Sequence, residues 1–118
     1  MNTYQIINPE MILSSMMNNV DIVKQMINLY LTQGIEDFQG LENAVNEQAN
    51  ETIKASAHHI KPTMEYIGAS DLRLKLQELE HLALSNDNPP AISALFLEIK
   101  TDFQKAMKEL EDYYQTLV

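Results

Sequence analysis

The sequence predicts an all-α domain, and three observations lead to that prediction. Only three glycines and four prolines interrupt the 118 residues, too few for a many-stranded β fold, whose turns recur about every 8–12 residues. Hydrophobic residues make up 45% and charged residues 21% of the chain, which is the balance of a polypeptide that folds around a core. The apolar residues recur at intervals of three and four, the period of an amphipathic helix.

The first two helices are predicted in the N-terminal half. A short one is expected at Pro9–Met17, since proline suits the first turn of a helix. A long one follows over about residues 21–47. Gly34 and Gly40 lie inside it and allow a bend, because each costs about 1 kcal/mol relative to alanine. Its expected core face comprises Val23, Met26, Ile27, Tyr30, Leu31, Ile35, Phe38, Leu41 and Val45.

Cap and stop signals delimit the next two helices. Asn50 is a candidate N-cap for the third helix, which Gly68 ends. Ser70 is a candidate cap for the fourth helix, and Asp71 in its first turn meets the positive end of the helix dipole. The expected core faces are Ile53, Ala57, Ile60, Met64 and Ile67 in the third helix and Leu72, Leu76, Leu79 and Leu82 in the fourth.

A loop at residues 85–90, rich in Asn, Asp and Pro, precedes the last helix. The core face of that helix is expected to contain Ile92, Leu95, Ile99, Phe103, Ala106, Leu110 and Tyr113. Four amphipathic helices with short connections pack most simply as an antiparallel up-down-up-down four-helix bundle, with the short N-terminal helix as an addition. We assign residues 1–118 to a single domain, with the bundle over about residues 20–116.

Composition also restricts the function. Seventeen acidic residues against eight basic ones give a net charge of −9, so we expect no nucleic-acid partner and no membrane partner. Apolar stretches fall far short of the roughly 20 residues that span a bilayer, and the N-terminus lacks the features of a signal peptide, so we expect a cytoplasmic protein. The chain has no cysteine, which excludes disulfides, thiol chemistry and cysteine-bound zinc.

His58 is the strongest candidate for a chemically reactive residue. The helical projection places it on the solvent face of the third helix, with Lys54 and Lys61 about one turn away on either side. Residues 51–75 contain four basic and three acidic side chains, whereas the rest of the chain contains four basic and fourteen acidic ones. Pro62 cannot donate a hydrogen bond to the carbonyl of His58, so we expect the helix to kink but continue there.

These residues carry a family resemblance. The pattern consists of Ala57-His58-His59-Ile60-Lys61-Pro62, then Gly68-Ala69, and then Leu72, Leu76 and Leu79-Glu80. It resembles the histidine phosphotransfer (HPt) domains of multistep phosphorelays. In that family Gly-Ala begins ten residues after the phosphorylated histidine, a spacing that indicates His58 and not His59. One position departs from the pattern, because Pro62 stands where the family usually has glycine.

The resemblance implies a phosphoryl carrier, which is not a complete enzyme on its own. His58 would accept a phosphoryl group from the aspartyl phosphate of a receiver domain and pass it to another receiver aspartate. Lys61 and Lys54 would stabilise the phosphoryl group, and His59, Pro62 and Glu65 would lie on the docking surface. The partners would be response-regulator receiver domains and a hybrid or separate histidine kinase. We expect a monomer with no cofactor or metal, since the Mg²⁺ ion would belong to the receiver.

Two other readings remain open from the sequence. Glu78 and His81 form one Glu-x-x-His unit of the kind found in di-iron bundles, but that site needs two such units and two further inward-facing glutamates. A helical adaptor without phosphoryl chemistry is the second alternative, because a bundle fold does not define a function.

Overall fold

The structure, a computed structural model, describes residues 4–85 and 88–118. The secondary structure in these ranges is entirely helical. The elements are α1 (Pro9–Ser15), α2 (Val20–Leu29), a π-helical turn (Tyr30–Gly34), α3 (Ile35–Asn46), α4 (Asn50–Tyr66), α5 (Ser70–Ser85) and α6 (Pro89–Leu117). Because α2, the π turn and α3 join without leaving the helical region, these elements amount to five helices. No β-strand occurs within the described ranges, as the sequence predicted.

The π turn is the irregularity inside the long second helix. It ends at Gly34, one of the two glycines at which the sequence allowed a bend. A π turn holds one more residue than an α turn, so it rotates the following residues around the helix axis. The prediction that Ile35 belongs to the core face is therefore wrong: Ile35 is 50% exposed, whereas Tyr30 and Phe38 on either side are buried.

The turn between α4 and α5 shows why Gly68 ends the third predicted helix. Gly68 has a φ of 74°. Its N–H donates to the Glu65 carbonyl at 3.0 Å, and the Ala69 N–H donates to the Met64 carbonyl at 2.8 Å. This pair of bonds is the Schellman arrangement, in which a left-handed residue satisfies the last carbonyls of a helix. The chain thereby reverses within three residues and α5 packs back along α4.

The predicted N-caps differ from the structure by one residue at two helices. Ala49 precedes α4 in a non-helical conformation, and Asn50 is the first helical residue. Similarly, α5 begins at Ser70, and the Arg73 N–H bonds to the carbonyl of Ala69. The last helix is capped by Asn88, whose side chain accepts from the Ala91 N–H. Part of the predicted 85–90 loop, residues 86 and 87, lies outside the described residues.

A segment that we call the N-terminal strap (residues 4–8) crosses from the α4–α5 turn to α6. The backbone N–H groups of Gln5, Ile6 and Ile7 all donate to the Glu109 carboxylate, at 2.9, 2.9 and 3.0 Å. At its other end the Asn8 N–H donates to the Ile67 carbonyl at 2.9 Å. The strap also places the buried side chain of Ile7 in the core, so it is part of the folded domain.

One hydrophobic core runs between the helices. The closest association is between α4 and α5, and α6 packs against α2, α3 and α5. Phe38 and Phe103 stack within this core with ring centroids 4.1 Å apart. The predicted core residues of α4 and α6 are buried, among them Ile53, Ile60, Met64, Ile99 and Leu110. None of the helices in the described ranges combines the length and the apolar character needed to cross a bilayer.

Candidate functional site

Two adjacent histidines lie on the outer face of α4. The side chains of His58 and His59 are 75% and 71% exposed, while Ala57 and Ile60 on either side are buried in the core. Because residues one apart in a helix point about 100° apart, the two imidazoles lean toward different neighbouring helices. His58 leans toward α5, and His59 leans toward α3.

His58 is oriented by Glu80 of α5. The Nδ1 atom of His58 lies 3.1 Å from Oε1 of Glu80, whose side chain is only 11% exposed. An ionised carboxylate can only accept hydrogen bonds, so Nδ1 carries the proton and donates it. The lone pair of the neutral imidazole is then on Nε2. This is the ring nitrogen farther from the backbone, and the exposed side chain leaves it available to a partner.

Lys61 is the third member of this cluster. Its Nζ atom lies 2.6 Å from Oε2 of Glu80, and its side chain is 19% exposed. The ammonium group thus compensates the charge of the largely buried carboxylate, which is costly to bury without a counter-ion. The sequence placed Lys61 near His58 as a partner for an incoming anion, and the structure brings the two together through Glu80.

His59 has a different arrangement although it is the next residue. Its Nε2 atom lies 3.3 Å from Oδ2 of Asp37 on α3. The carboxylate therefore engages the outer ring nitrogen of His59, whereas Glu80 engages the inner ring nitrogen of His58. The two imidazoles of α4 thus offer different atoms to a partner, and of these two only His58 has its outer nitrogen free of a carboxylate contact among the described residues.

An open depression of ≈ 470 Å³ adjoins His58 on the side toward the end of α4. Its lining consists of His58, Lys61, Pro62, Glu65, Tyr66 and Arg73. The α4 helix continues through Pro62 to Tyr66, as the sequence predicted. Pro62 and Glu65, both predicted for the docking surface, are exposed and border this depression.

Lys54 and His81 lie apart from this cluster. Lys54 is exposed one turn before His58, and it lines a separate depression with Glu51, Ala83 and neighbouring residues. His81 is exposed on α5, as is Glu78, so the Glu-x-x-His unit does not face inward as a di-iron bundle requires. Within residues 4–85 and 88–118 no group of three or more histidine or carboxylate side chains is arranged to hold a metal ion.

Sequence reasoning missed the partners that the neighbouring helices supply. The contact of Glu80 with His58 joins residues 22 apart, and neither helical spacing nor charge counting within α4 reveals it. Glu80 did stand in the quoted family pattern as part of Leu79-Glu80, which was the one available signal. The contact of Asp37 with His59 and the position of Arg73 in the depression depend on helix packing.

The fold and the site together define a helical domain with an exposed histidine that a buried carboxylate orients. The Hpt domain pattern matches residues 25–117, and the chain therefore belongs to the Hpt domain family. The structure is similar to the crystal structure of histidine-containing phosphotransfer protein B (HptB) from Pseudomonas aeruginosa PAO1, with a TM-score of 0.85 and 17% sequence identity. The match covers 97% of this chain and 98% of that one, and at this identity it shows a shared fold. A comparison with curated proteins finds no match.

Family membership gives the general function. The chain takes part in histidine phosphotransfer in phosphorelay signalling. Hpt domains are phosphoryl carriers rather than enzymes in the usual sense, and they interact with receiver domains and histidine kinases.

Proposed function

We propose that Nε2 of His58 is the phosphoryl acceptor of this domain. The observation that carries the proposal is the 3.1 Å contact between His58 Nδ1 and Glu80, which leaves the lone pair on the outer nitrogen. His59 is the only other exposed histidine on α4, and its outer nitrogen lies against Asp37. The geometry therefore favours His58, in agreement with the ten-residue spacing to Gly68.

The proposed reaction exchanges one bond to phosphorus for another. The Nε2 lone pair attacks the phosphorus of a receiver aspartyl phosphate, the new N–P bond forms, and the acyl O–P bond breaks to release the receiver carboxylate. The imidazole ring gains positive charge as the N–P bond forms. The Glu80 carboxylate at Nδ1 stabilises that charge, as a buried aspartate stabilises the imidazolium of the histidine base in a serine protease. Transfer to a second receiver reverses these steps.

Lys61 and Lys54 would stabilise the negative charge of the phosphoryl group. Lys61 holds Glu80 in place through its 2.6 Å contact and adds positive potential beside the incoming phosphoryl group. Lys54, one turn before His58 and exposed, would reach the phosphoryl group or an acidic side chain of the partner. Positioning and positive charge are the main contributions that such a charge-dispersed transition state needs.

Receiver domains would dock on the exposed faces of α3 and α4 around His58. His59, Pro62 and Glu65 are exposed there, which supports their place on the docking surface. The Mg²⁺ ion of the reaction would belong to the receiver, so the domain would need no cofactor of its own. We infer a cytoplasmic monomer acting with specific receivers and a hybrid or separate kinase.

We also infer that the main helices form an up-down-up-down antiparallel bundle within a single domain of residues 1–118. The short connections around residues 47–49 and 67–69 and the packing of consecutive helices against one another support this arrangement. Such a bundle presents α4 with one face in the core and the histidine face toward a partner.

The deciding experiment follows phosphoryl transfer from a phosphorylated receiver by intact mass, with wild type, His58→Gln and His59→Gln. We expect an acid-labile, alkali-stable adduct in wild type and His59→Gln and none in His58→Gln. Loss only in His59→Gln would assign the other histidine. A chain that binds receivers but forms no adduct with a broad panel of them would be an adaptor instead.

A further inference from the structure

Arg73 lines the same depression as His58, and neither the quoted family pattern nor the proposed reaction gives it a role. It lies at the end of the first turn of α5, and it is part of the lining of this depression. Lys61 and Arg73 are the two cationic side chains in that lining. The depression therefore joins the proposed phosphoryl acceptor to a guanidinium group contributed by a different helix.

The two cations differ in how firmly they are held. Lys61 lies 2.6 Å from the largely buried carboxylate of Glu80. Arg73 has looser contacts, since its Nε atom lies 3.8 Å from Oε2 of Glu65 and its Nη1 donates to Gln77 at 3.4 Å. Glu65 is 67% exposed, and an exposed ion pair of this kind contributes little free energy. Arg73 can thus exchange its partner at small cost.

We propose that Arg73 binds the phosphoryl oxygens of phosphorylated His58. The proposal rests on His58 being the acceptor, as argued above. Phosphorylation places a group with a charge near −2 at the edge of a depression that contains the guanidinium. The planar fork of arginine matches phosphoryl oxygens in a bidentate manner, which a lysine ammonium does not. Arg73 then leaves Glu65 and contacts the phosphoryl group.

Glu65 has the opposite effect in this scheme. In the unphosphorylated domain it competes for the guanidinium, and its own negative charge repels the phosphoryl group. Removing the charge of Glu65 therefore favours the phosphorylated state, whereas removing the charge of Arg73 disfavours it. If the Arg73–Glu65 pair had only a structural role, both substitutions would shift the proportion of phosphorylated domain in the same direction, because either one breaks the same contact.

The test uses phosphoramidate as the donor, so that no receiver is needed. Nε2 of His58 attacks the phosphorus of phosphoramidate, the new N–P bond forms, and the N–P bond of the donor breaks, so that its protonated amino group leaves as ammonia. At a fixed ratio of phosphoramidate to ammonia, intact mass gives the equilibrium ratio of phosphorylated to unphosphorylated domain. We expect this ratio to fall about 3–10-fold in Arg73→Gln and to recover in part in Arg73→Lys. We expect Glu65→Gln to raise it about twofold.

Lys75→Gln is the matched control. It removes the same charge from the same helix two residues later, and Lys75 has a similar exposure, 32% against 30%. Lys75 pairs with Asp102 at 2.7 Å on the other side of α5, so the ratio should remain that of wild type. An unchanged ratio in Arg73→Gln, or an equal fall in Lys75→Gln, would overturn the proposal. An unchanged ratio together with weakened receiver binding would make Arg73 a partner contact. A wild-type chain that forms no phosphohistidine at His58 would overturn the acceptor assignment itself.

Discussion

Glu80 is the residue whose replacement most directly tests how the site works. Glu80→Ala removes the acceptor at His58 Nδ1, so the proton is free to occupy either ring nitrogen and the ring is free to rotate. Glu80→Gln keeps an acceptor oxygen at the same place but removes the negative charge. Phosphoryl transfer should therefore be slowest in the alanine variant and intermediate in the glutamine variant.

The size of the effect follows from the geometry. A hydrogen bond to a charged group contributes about 1.5–3 kcal/mol. The 3.1 Å contact and the 75% exposure of His58 place this one toward the lower end, because water competes for Nδ1. A loss of about 1.5–2 kcal/mol in the transition state corresponds to a rate reduction of about 10–30-fold for Glu80→Ala. Glu80→Gln should lose roughly half of that free energy, about a fourfold reduction.

Single-turnover transfer from a phosphorylated receiver, measured by rapid quench at saturating domain, gives the rate. Receiver affinity is measured separately with the unphosphorylated proteins, and it should not change, because Glu80 is largely buried beneath His58. A Glu80→Ala rate equal to wild type would refute the orienting role. A reduction in rate that is fully explained by reduced affinity for the receiver would also refute the orienting role.

Three further predictions concern stability. Gly68→Ala should lower Tm by roughly 8–12 °C, because alanine disfavours a φ of 74° and its Cβ would lie 2.5 Å from Asn8 Cβ; an unchanged Tm in calorimetry would contradict this. Gln48→Gly should raise the free energy of unfolding by about 0.5–1 kcal/mol in urea titrations, since Gln48 adopts a φ of 55° after α3. Tyr113→Phe should raise the free energy of unfolding by up to about 1 kcal/mol, because the buried hydroxyl of Tyr113 has no hydrogen-bond partner among the described residues. Burial raises the pKa of Tyr113 above its ordinary value of 10.0. The free energy of unfolding of the wild type therefore falls as pH rises above 10.0, because the unfolded chain loses this proton first. The phenylalanine variant lacks this group, so its free energy of unfolding should fall less over the same pH range.

Much of the fold was predictable because its determinants are local. The apolar period located every helix, and Gly68 and the Asn-Pro-rich segment marked their ends. Ile35 shows where local reasoning fails. Its spacing fits an uninterrupted α-helix, but the π turn at Tyr30–Gly34 rotates it to the surface. Whether a glycine in a helix permits a bend or a π turn depends on how the neighbouring helices pack, which sequence spacing does not specify.

The candidate site was predictable only in the residues that α4 itself contributes, namely His58, Lys61, Pro62 and Glu65. His58 stood out because exposure, nearby charge and the spacing to Gly68 are all properties of one stretch of chain. The carboxylates that contact the two histidines come from other helices, Glu80 from α5 and Asp37 from α3, and α5 also supplies Arg73 to the depression. Their distances depend on the crossing of helices, so pair contacts of this kind require the three-dimensional structure.

The N-terminal strap has a practical consequence for how this domain is excised or fused. The family pattern begins at residue 25, yet the strap and α1 place Ile7 and Ile12 in the hydrophobic core, and Glu109 of the last helix is the acceptor for three strap amides. The autonomous folding unit is thus longer than the stretch that family membership marks. Protein engineers who trim the chain to the matched segment would expose apolar surface and leave a carboxylate without its donors, and a fusion partner is better joined before the strap than after it.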